Sequence, residues 1–417
     1  MNKINGKFAA AIFATSLVNS LNAQINYNQI SGQQINTRVN TITTAVPFLM
    51  ISPDSRAGGM GDAGVASSVD ANSVHWNASK LAFAEKKMAI GVSYTPWLRA
   101  LVPDINLAYL SGYYKTKKNG TFGGSLRYFS LGDITFTDIN GNTIGQFRPN
   151  EFALDVCYAL KLSNVFSMGG AVRYVNSNLT GGTFVDGSAT KPGRTLAVDI
   201  SATYRKDKIK VGGKEGILTF GANISNIGGK MSYSNRNSAT NSNFLPINLR
   251  LGSSLALNLD EYNSITFLVD ANKLLVPTPP VYLLDSKGNV IPDGSGGYKI
   301  AYGKDPNRGV ASGVFGSFSD APGGAKEELK EINYSFGMEY WYNKLFAIRG
   351  GYFYENPLKG NRQYVTLGAG VKYNVFGLDF AYLIPTKQRN PLENTLRFSL
   401  TFDFDAFKAQ NDDTKTE

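Results

Sequence analysis

Four groups of residues in this chain have types or spacing that could carry chemistry. The stretch "SRAGGMGDAG", residues 55–64, places Gly59, Gly61 and Gly64 in a G-x-G-x-x-G pattern. In dinucleotide-binding folds that pattern lets backbone amides close on a pyrophosphate, provided a buried strand precedes it, a helix follows and a parallel βαβ unit encloses both. Next, His75 stands between Val74 and Trp76 and is the sole histidine. It has no Cys, Asp or Glu at ligand spacing, so packing or hydrogen bonding is its expected role and no metal site is assigned. It would also be the only base for a serine triad, and no G-x-S-x-G elbow accompanies it. The single cysteine, Cys157, alternates with Ala153, Asp155 and Ala159, which reads as a small inert residue on one strand face. The fourth group is the apolar, proline-rich run "LLVPTPPVYLLD", a candidate for contact with a partner.

The elements around these residues decide between the readings. Residues 1–23 carry Lys3 and Lys7 ahead of an apolar core from Phe8 to Val18 and end on Leu21-Asn22-Ala23, the layout of a cleaved secretory signal. The sequence after it contains no stretch near the ~18 apolar residues of a spanning helix, so any passage through a membrane has to use strands. One cysteine allows no internal disulfide, which leaves an extensive closed sheet as the source of stability for an exported chain. Tyr (22), Phe (25) and Gly (44) are abundant among 417 residues, favouring strands and tight turns. A formal net charge of +10 calls for an anionic partner; for an exported protein that is lipid headgroups, and nucleic acid is not expected.

Strand signals are regular. In "NTLRFSLTFDF" Leu396, Phe398, Leu400 and Phe402 share one face while Thr395, Arg397, Ser399 and Thr401 share the other. Similar segments begin near Met88, Ile105, Thr121, Phe152, Phe166, Thr195, Ile217, Ile247, Ile265, Asn333, Leu345, Tyr364, Phe376 and Thr395, each near the ~9–11 residues of a tilted membrane strand. Even-numbered segments are followed by short turns such as "KLSN", with "RKDKIKVGGKEG" read as another turn. Most odd-numbered ones are followed by long loops, the longest covering 273–331. An even strand count with this asymmetry predicts an all-β fold: a transmembrane outer-membrane β-barrel of about 14 antiparallel strands in a Gram-negative bacterium, with its long loops at the cell surface. Glu339, Asp379, Arg349, Arg397, Lys372, Asp155, Arg173, Asp199 and Asp270 fall on the polar faces and are expected to pair inside the lumen.

In this setting the glycine pattern loses its nucleotide meaning, because no amphipathic helix and returning parallel strand follow it. Residues 24–87 are expected to fill the barrel as an N-terminal plug, on either the lumenal or the periplasmic side, with glycines allowing tight turns and close packing. The expected organisation is signal peptide 1–23, plug segment 24–87, barrel 88–404 and periplasmic tail 405–417.

The run "SRAGGMGDAGVASSVDANSVHWNASKLAF", followed by this strand pattern, resembles the type IX secretion system outer-membrane PorV (LptO) family of the FadL-like barrel superfamily. The resemblance extends from about Ser52 to Phe404. It marks Arg56, Gly59, Gly61, Gly64, His75, Trp76 and Asn77 as plug residues. Where the wider superfamily has an Asn-Pro-Ala-like hatch motif, this chain has Asn77-Ala78-Ser79. The resemblance implies a non-enzymatic protein without cofactor that binds the C-terminal signal domains of cargo and shuttles cargo from the translocon to a cell-surface attachment complex, among outer-membrane lipid and lipopolysaccharide. Leu274, Leu275, Val276, Val281, Tyr282, Leu283 and Leu284 are the residues expected to make partner contacts, the alternative for this loop being a lid over its own barrel. Two other functions stay open at this point: a FadL-like channel for hydrophobic small molecules, and a part in lipopolysaccharide deacylation. Basic loop residues, including Lys191, Arg194, Lys230, Arg236, Lys359, Arg362, Lys387 and Arg389, are placed to meet lipopolysaccharide phosphates.

Overall fold

The computed structural model describes residues 39–404, apart from 100, 101, 103, 117, 118, 138, 139, 183, 186, 187, 234–241, 388 and 389. The expected signal peptide, residues 24–38 of the plug segment, the tail 405–417, Arg236 and Arg389 lie outside the described residues.

Alternation of apolar and polar side chains produces long strands. These are β1 (Met88–Pro96), β2 (Ile105–Lys115), β3 (Gly120–Leu131), β4 (Asn150–Lys161), β5 (Phe166–Asn178), β6 (Gly193–Val211) and β7 (Lys214–Gly228). They continue as β8 (Asn248–Asn258), β9 (Asn263–Leu274), β10 (Asn333–Tyr342), β11 (Phe346–Tyr354), β12 (Gln363–Tyr373), β13 (Phe376–Pro385) and β14 (Thr395–Asp403). Among the described residues these fourteen form one closed antiparallel barrel in sequence order. The seam joins β1 to β14, from Ala89↔Asp403 to Tyr94↔Phe398, so the sheet has no free edge around its girth.

The pattern of burial is that of a membrane barrel. Val156 (60 % exposed) and Ile348 (67 %) point outward, whereas Asp155 (2 %) and Arg349 (1 %) point into the lumen. An apolar outer band over a charged interior is stable when the outer solvent is hydrocarbon. Turns at one end are short, such as 162–165 and 374–375, while at the other end lie 132–149, 229–247 and 275–332; these are the periplasmic and extracellular ends respectively.

The stretch "RKDKIKVGGKEG" is not a turn. Most of it continues β6 and β7 as a paired hairpin whose tip is Gly212-Gly213, both at positive φ. The segment between β9 and β10 is likewise ordered: Val281–Tyr282 pairs with Ile300–Tyr302, and two short helices follow, Val310–Gly316 and Ala325–Lys330.

Candidate functional site

The lumen is occupied by the segment ahead of β1, which runs the length of the barrel. At the extracellular end Asn40 N donates to Leu358 O (2.8 Å), and its side-chain amide donates to Pro279 O (3.1 Å) and Glu327 (3.0 Å). Below it the apolar "VPFLMIS" turns through a 3-10 helix, Pro47–Met50. Phe48 and Leu49 are buried against Leu107, Phe129 and Val175 of the barrel and Leu245 of the β7–β8 loop. At the periplasmic end Lys115 Nζ caps Ala84 O (2.6 Å), and β1 begins directly afterwards.

The glycine stretch fits between these ends. Asp54 caps the short helix α1 (Ser55–Gly58) by accepting from Ala57 N at 2.9 Å, and its other oxygen accepts from Trp76 Nε1 at 2.7 Å. Gly61 has φ +68°, and a Cβ there would lie 2.6 Å from Tyr352 N and 2.7 Å from Phe336 O. At Gly59 a Cβ would lie 3.0 Å from Gly368 Cα, and at Gly64 it would enter the Trp76 indole. The amides that would face a pyrophosphate in a nucleotide site are already engaged. Gly61 N donates to Thr366 Oγ1 (2.8 Å), while Gly64 N and Val65 N both donate to Asp270 Oδ2 (2.7 and 2.9 Å). These glycines are contact points between two backbones.

Ion pairs fasten the segment to the wall. Arg56 binds Glu339 of β10 through Nε and Nη2 and binds Asp70 through Nη1 (2.9 Å), and Arg397 of β14 pairs with Asp62. Within the wall Arg349 joins Glu339 to Asp379 at 2.7 Å each, and Arg173 joins Asp155 to Asp199. Charges of both signs therefore pair inside the lumen, as their strand faces predict. Lys80 Nζ is buried and satisfied by Gly64 O (2.6 Å) and Ser67 Oγ (2.9 Å) rather than by a carboxylate. Burial pushes its ammonium down to about 8, and burial together with the charge of Asp70 pushes Asp54 up to about 6.

His75 lies between two arginines, with Nδ1 2.6 Å from Arg127 and Nε2 3.4 Å from Arg250. Guanidinium only donates, so Nδ1 is the acceptor and the ring is neutral. Burial and the neighbouring positive charges hold its pKa well below the ordinary range. Arg250 also lies over the Trp76 ring at 5.0 Å. Asn77 donates to Val65 O and Thr203 Oγ1 (3.0 Å each) and accepts from Ser79 N and Oγ, so the Asn-Ala-Ser hatch acts as a local brace. Cys157 is buried against Leu81 and Ala171. Among the described residues no group of His, Cys, Asp and Glu is arranged to hold a metal.

A cavity of about 410 Å³ remains at the periplasmic mouth, with Arg56, Asp70, Lys80, Arg205, Arg349 and Asp379 on its walls. Its lining mixes these charges with the apolar side chains of Phe83, Tyr113, Ile217 and Trp341.

Over the other end, the segment between β9 and β10 forms a cap held by buried charges. Lys273 Nζ binds Glu328 (2.9 Å) and Glu331 (2.5 Å); Lys359 Nζ binds Glu327 (2.5 Å) and Glu331 (3.0 Å). Leu275 and Val276 pack with Phe244 and Ile247, and Val281 is buried too, so these three face their own protein. Leu274 belongs to β9, and Tyr282, Leu283 and Leu284 are half-buried. The exposed apolar side chains of the cap include Phe315 (79 %), Leu329, Tyr298, Phe318 and Val290. The sequence signal for the two phenylalanines is "GVFGSF", whose glycines read as loop. Of the basic loop residues, Lys359 and Arg362 are already bound, Arg362 to Glu355 at 2.8 Å, and Lys230 lies over Phe244.

In fold the chain is similar to several solved outer-membrane barrels. The Ralstonia pickettii toluene transporter TbuX is 12 % identical with a TM-score of 0.45, covering 85 % of this chain and 98 % of that one. For the Pseudomonas putida toluene transporter TodX the values are 13 %, 0.45, 88 % and 98 %; for a Pseudomonas aeruginosa FadL homologue they are 11 %, 0.45, 88 % and 99 %. No curated protein matches in sequence. The family model for type IX secretion system protein PorV matches residues 33–281, which include the glycine stretch, most of the segment ahead of β1 and the first nine strands. With that match over more than half its length, the chain belongs to the type IX secretion system PorV family, and it is a barrel of the Gram-negative outer membrane.

Proposed function

We propose that the chain works at the cell surface as the cargo-shuttling component of the type IX system. In this reading it binds the C-terminal signal domains of cargo leaving the translocon and delivers cargo to the surface attachment complex. Family membership supplies the system. The observation that carries the reading is the filled lumen: residues 45–84 are fastened to the wall by Arg56–Glu339 and Arg397–Asp62, and the cap covers the outer end. A barrel closed in this way has its working surface outside, where Phe315, Phe318 and Leu329 stand exposed and Tyr282, Leu283 and Leu284 are partly open.

Large apolar side chains buried on docking are worth roughly 1.5–3 kcal/mol each. Two sets of substitutions test the surface: Tyr282→Ser with Leu283→Ser and Leu284→Ser, and Phe315→Ser with Phe318→Ser. At least one set is expected to abolish co-purification with translocon or cargo and to block cargo secretion, with the heat-modifiable barrel still in the membrane. A solute channel predicts intact secretion and altered uptake of a hydrophobic probe. An unchanged profile of secreted and surface-attached proteins in a deletion strain would end the shuttle reading.

A further inference from the structure

The fold distributes the net charge of +10 unevenly. Strands β1 to β7 are successive neighbours, so the segment ahead of β1 and the turns β2–β3, β4–β5 and β6–β7 lie side by side on one arc of the periplasmic rim. Among the described residues that arc carries Lys86, Lys206, Lys208, Lys210 and Lys214, with Glu85, Asp207 and Glu215 as its acids. The adjoining turn β8–β9 carries Asp260 and Glu261 and ends the basic arc on that side, where Lys214 Nζ donates to Leu259 O (2.6 Å). Among the described residues, Lys86, Lys206, Lys208 and Lys210 have no carboxylate within ion-pair distance, whereas Arg205 pairs with Asp207 at 2.7 Å.

The β6–β7 hairpin gives this arc its shape. The ladder of β6 with β5 stops at Tyr204↔Phe166, and beyond it β6 pairs only with β7 as far as Val211↔Lys214. A bulge at Lys208 (φ 56°) moves the register from Lys206↔Leu218 to Ile209↔Gly216. The shift brings Ile209 and Val211 onto the same outward face as Tyr204 and Phe220, whose rings face lipid 6.5 Å apart. The lipid-facing strip therefore continues past the aromatic girdle into a two-stranded ribbon edged with lysine.

We propose that this arc binds the anionic phospholipid headgroups of the periplasmic leaflet, with the β6–β7 ribbon lying along that leaflet. Two features favour lipid over an acidic protein. The charges continue directly from the lipid-facing aromatic pair. They are also mostly lysines, mobile point charges whose stems lie along apolar surface while the ammonium reaches phosphate.

The test uses the full chain purified in detergent and exchanged into phosphatidylglycerol or phosphatidylcholine, with retained lipid counted by native mass spectrometry. A lysine near an anionic surface is worth about five-fold in lipid affinity, so Lys86→Gln, Lys206→Gln, Lys208→Gln and Lys210→Gln together should cost roughly six hundredfold. The wild type is expected to prefer phosphatidylglycerol and to lose that preference in about 0.5 M salt. The quadruple variant is expected to lose it at low salt, and Lys344→Gln on the other arc to keep it. Equal retention of the two lipids by the wild type overturns the proposal. So does unchanged preference in a folded quadruple variant, or loss from that variant of a co-purifying acidic periplasmic protein with lipid preference intact. Should the variant fail to fold, the salt series on the wild type decides.

Discussion

Two hydrogen bonds, of 3.0 and 2.8 Å, join the guanidinium of Arg56 in the plug to both carboxylate oxygens of Glu339 in β10. Removing one member of a buried pair costs about 3–5 kcal/mol, and here Arg349, 2.7 Å from Glu339, retains part of the compensation. Arg56→Leu should therefore loosen residues 45–84 by roughly 2–3 kcal/mol. The expected signs are faster proteolysis within the segment and a higher ion leak across planar bilayers. Adding Glu339→Gln should recover part of the loss; a double variant no better than the single one would mean that the pair does not hold the plug.

Gly61 provides a steric test. Its positive φ and the 2.6 Å approach to Tyr352 N leave no position for a side chain, so Gly61→Val should prevent normal seating of the plug and lower the yield of folded barrel. Gly59→Ala, with its 3.0 Å contact to Gly368 Cα, should do milder harm. Wild-type melting should not respond to NAD, because the amides are committed to Thr366 and Asp270. A reproducible rise in melting temperature with NAD would contradict this assignment.

Two plug groups respond to acid in opposite directions. His75 is neutral when folded and has an ordinary pKa of 6.5 when unfolded, so its stabilising contribution is present above pH 6.5 and lost as pH falls below it, by about 1.4 kcal/mol per unit. Asp54 rises from 3.8 to about 6 on folding, so the folded state takes up a proton as pH falls through 6, which offsets the loss at His75 between about pH 6 and 4. Melting in detergent should therefore change little on these groups' account over that window in the wild type. It should fall with acid in Asp54→Asn and rise with acid in His75→Gln. Parallel pH profiles for all three proteins would refute the assignment.

Glu331 is the shared anchor of the cap, bonded to Lys273, Lys359 and Thr278. Glu331→Ala leaves two buried lysines with one carboxylate each and should weaken the cap by about 2–3 kcal/mol. Surface protease applied to intact cells should then cut between 281 and 320, with the barrel band unchanged on a heat-modifiability gel. Glu331→Gln should fall between wild type and alanine, because it can still hydrogen-bond Thr278.

The barrel was legible because a two-residue period survives in every strand that faces lipid on one side and charge on the other. Expected starts such as Phe152 and Ile217 fall within a turn of strand of the observed Asn150 and Lys214. The β6–β7 ribbon escaped because the bulge at Lys208 interrupts its alternation, and the lysine- and glycine-rich "RKDKIKVGGKEG" has the composition of a turn. Leu275 and Val276 show a different gap: apolar character records that a residue is buried, not which surface buries it, and here the burying surface is Phe244 and Ile247. The bonds that seat residues 45–84 were not legible, because they join residues far apart in the chain, as Arg56 and Glu339 are, 283 residues apart.

The passage of residues 40–84 along the barrel axis constrains the order of assembly. A segment fastened at Asn40 near Leu358 and at Ala84 near Lys115 runs like an axle through a closed ring. The ring closes where Ala89 meets Asp403 and Tyr94 meets Phe398, between the first and last strands synthesised. An axle covered at one end by a folded cap can enter only from the periplasmic side, either as the sheet curls around it or through that mouth. Once seated it ties the two sides of the seam together, because Ser55 N donates to Ser399 of β14 and Asn72 accepts from Ser111 of β2.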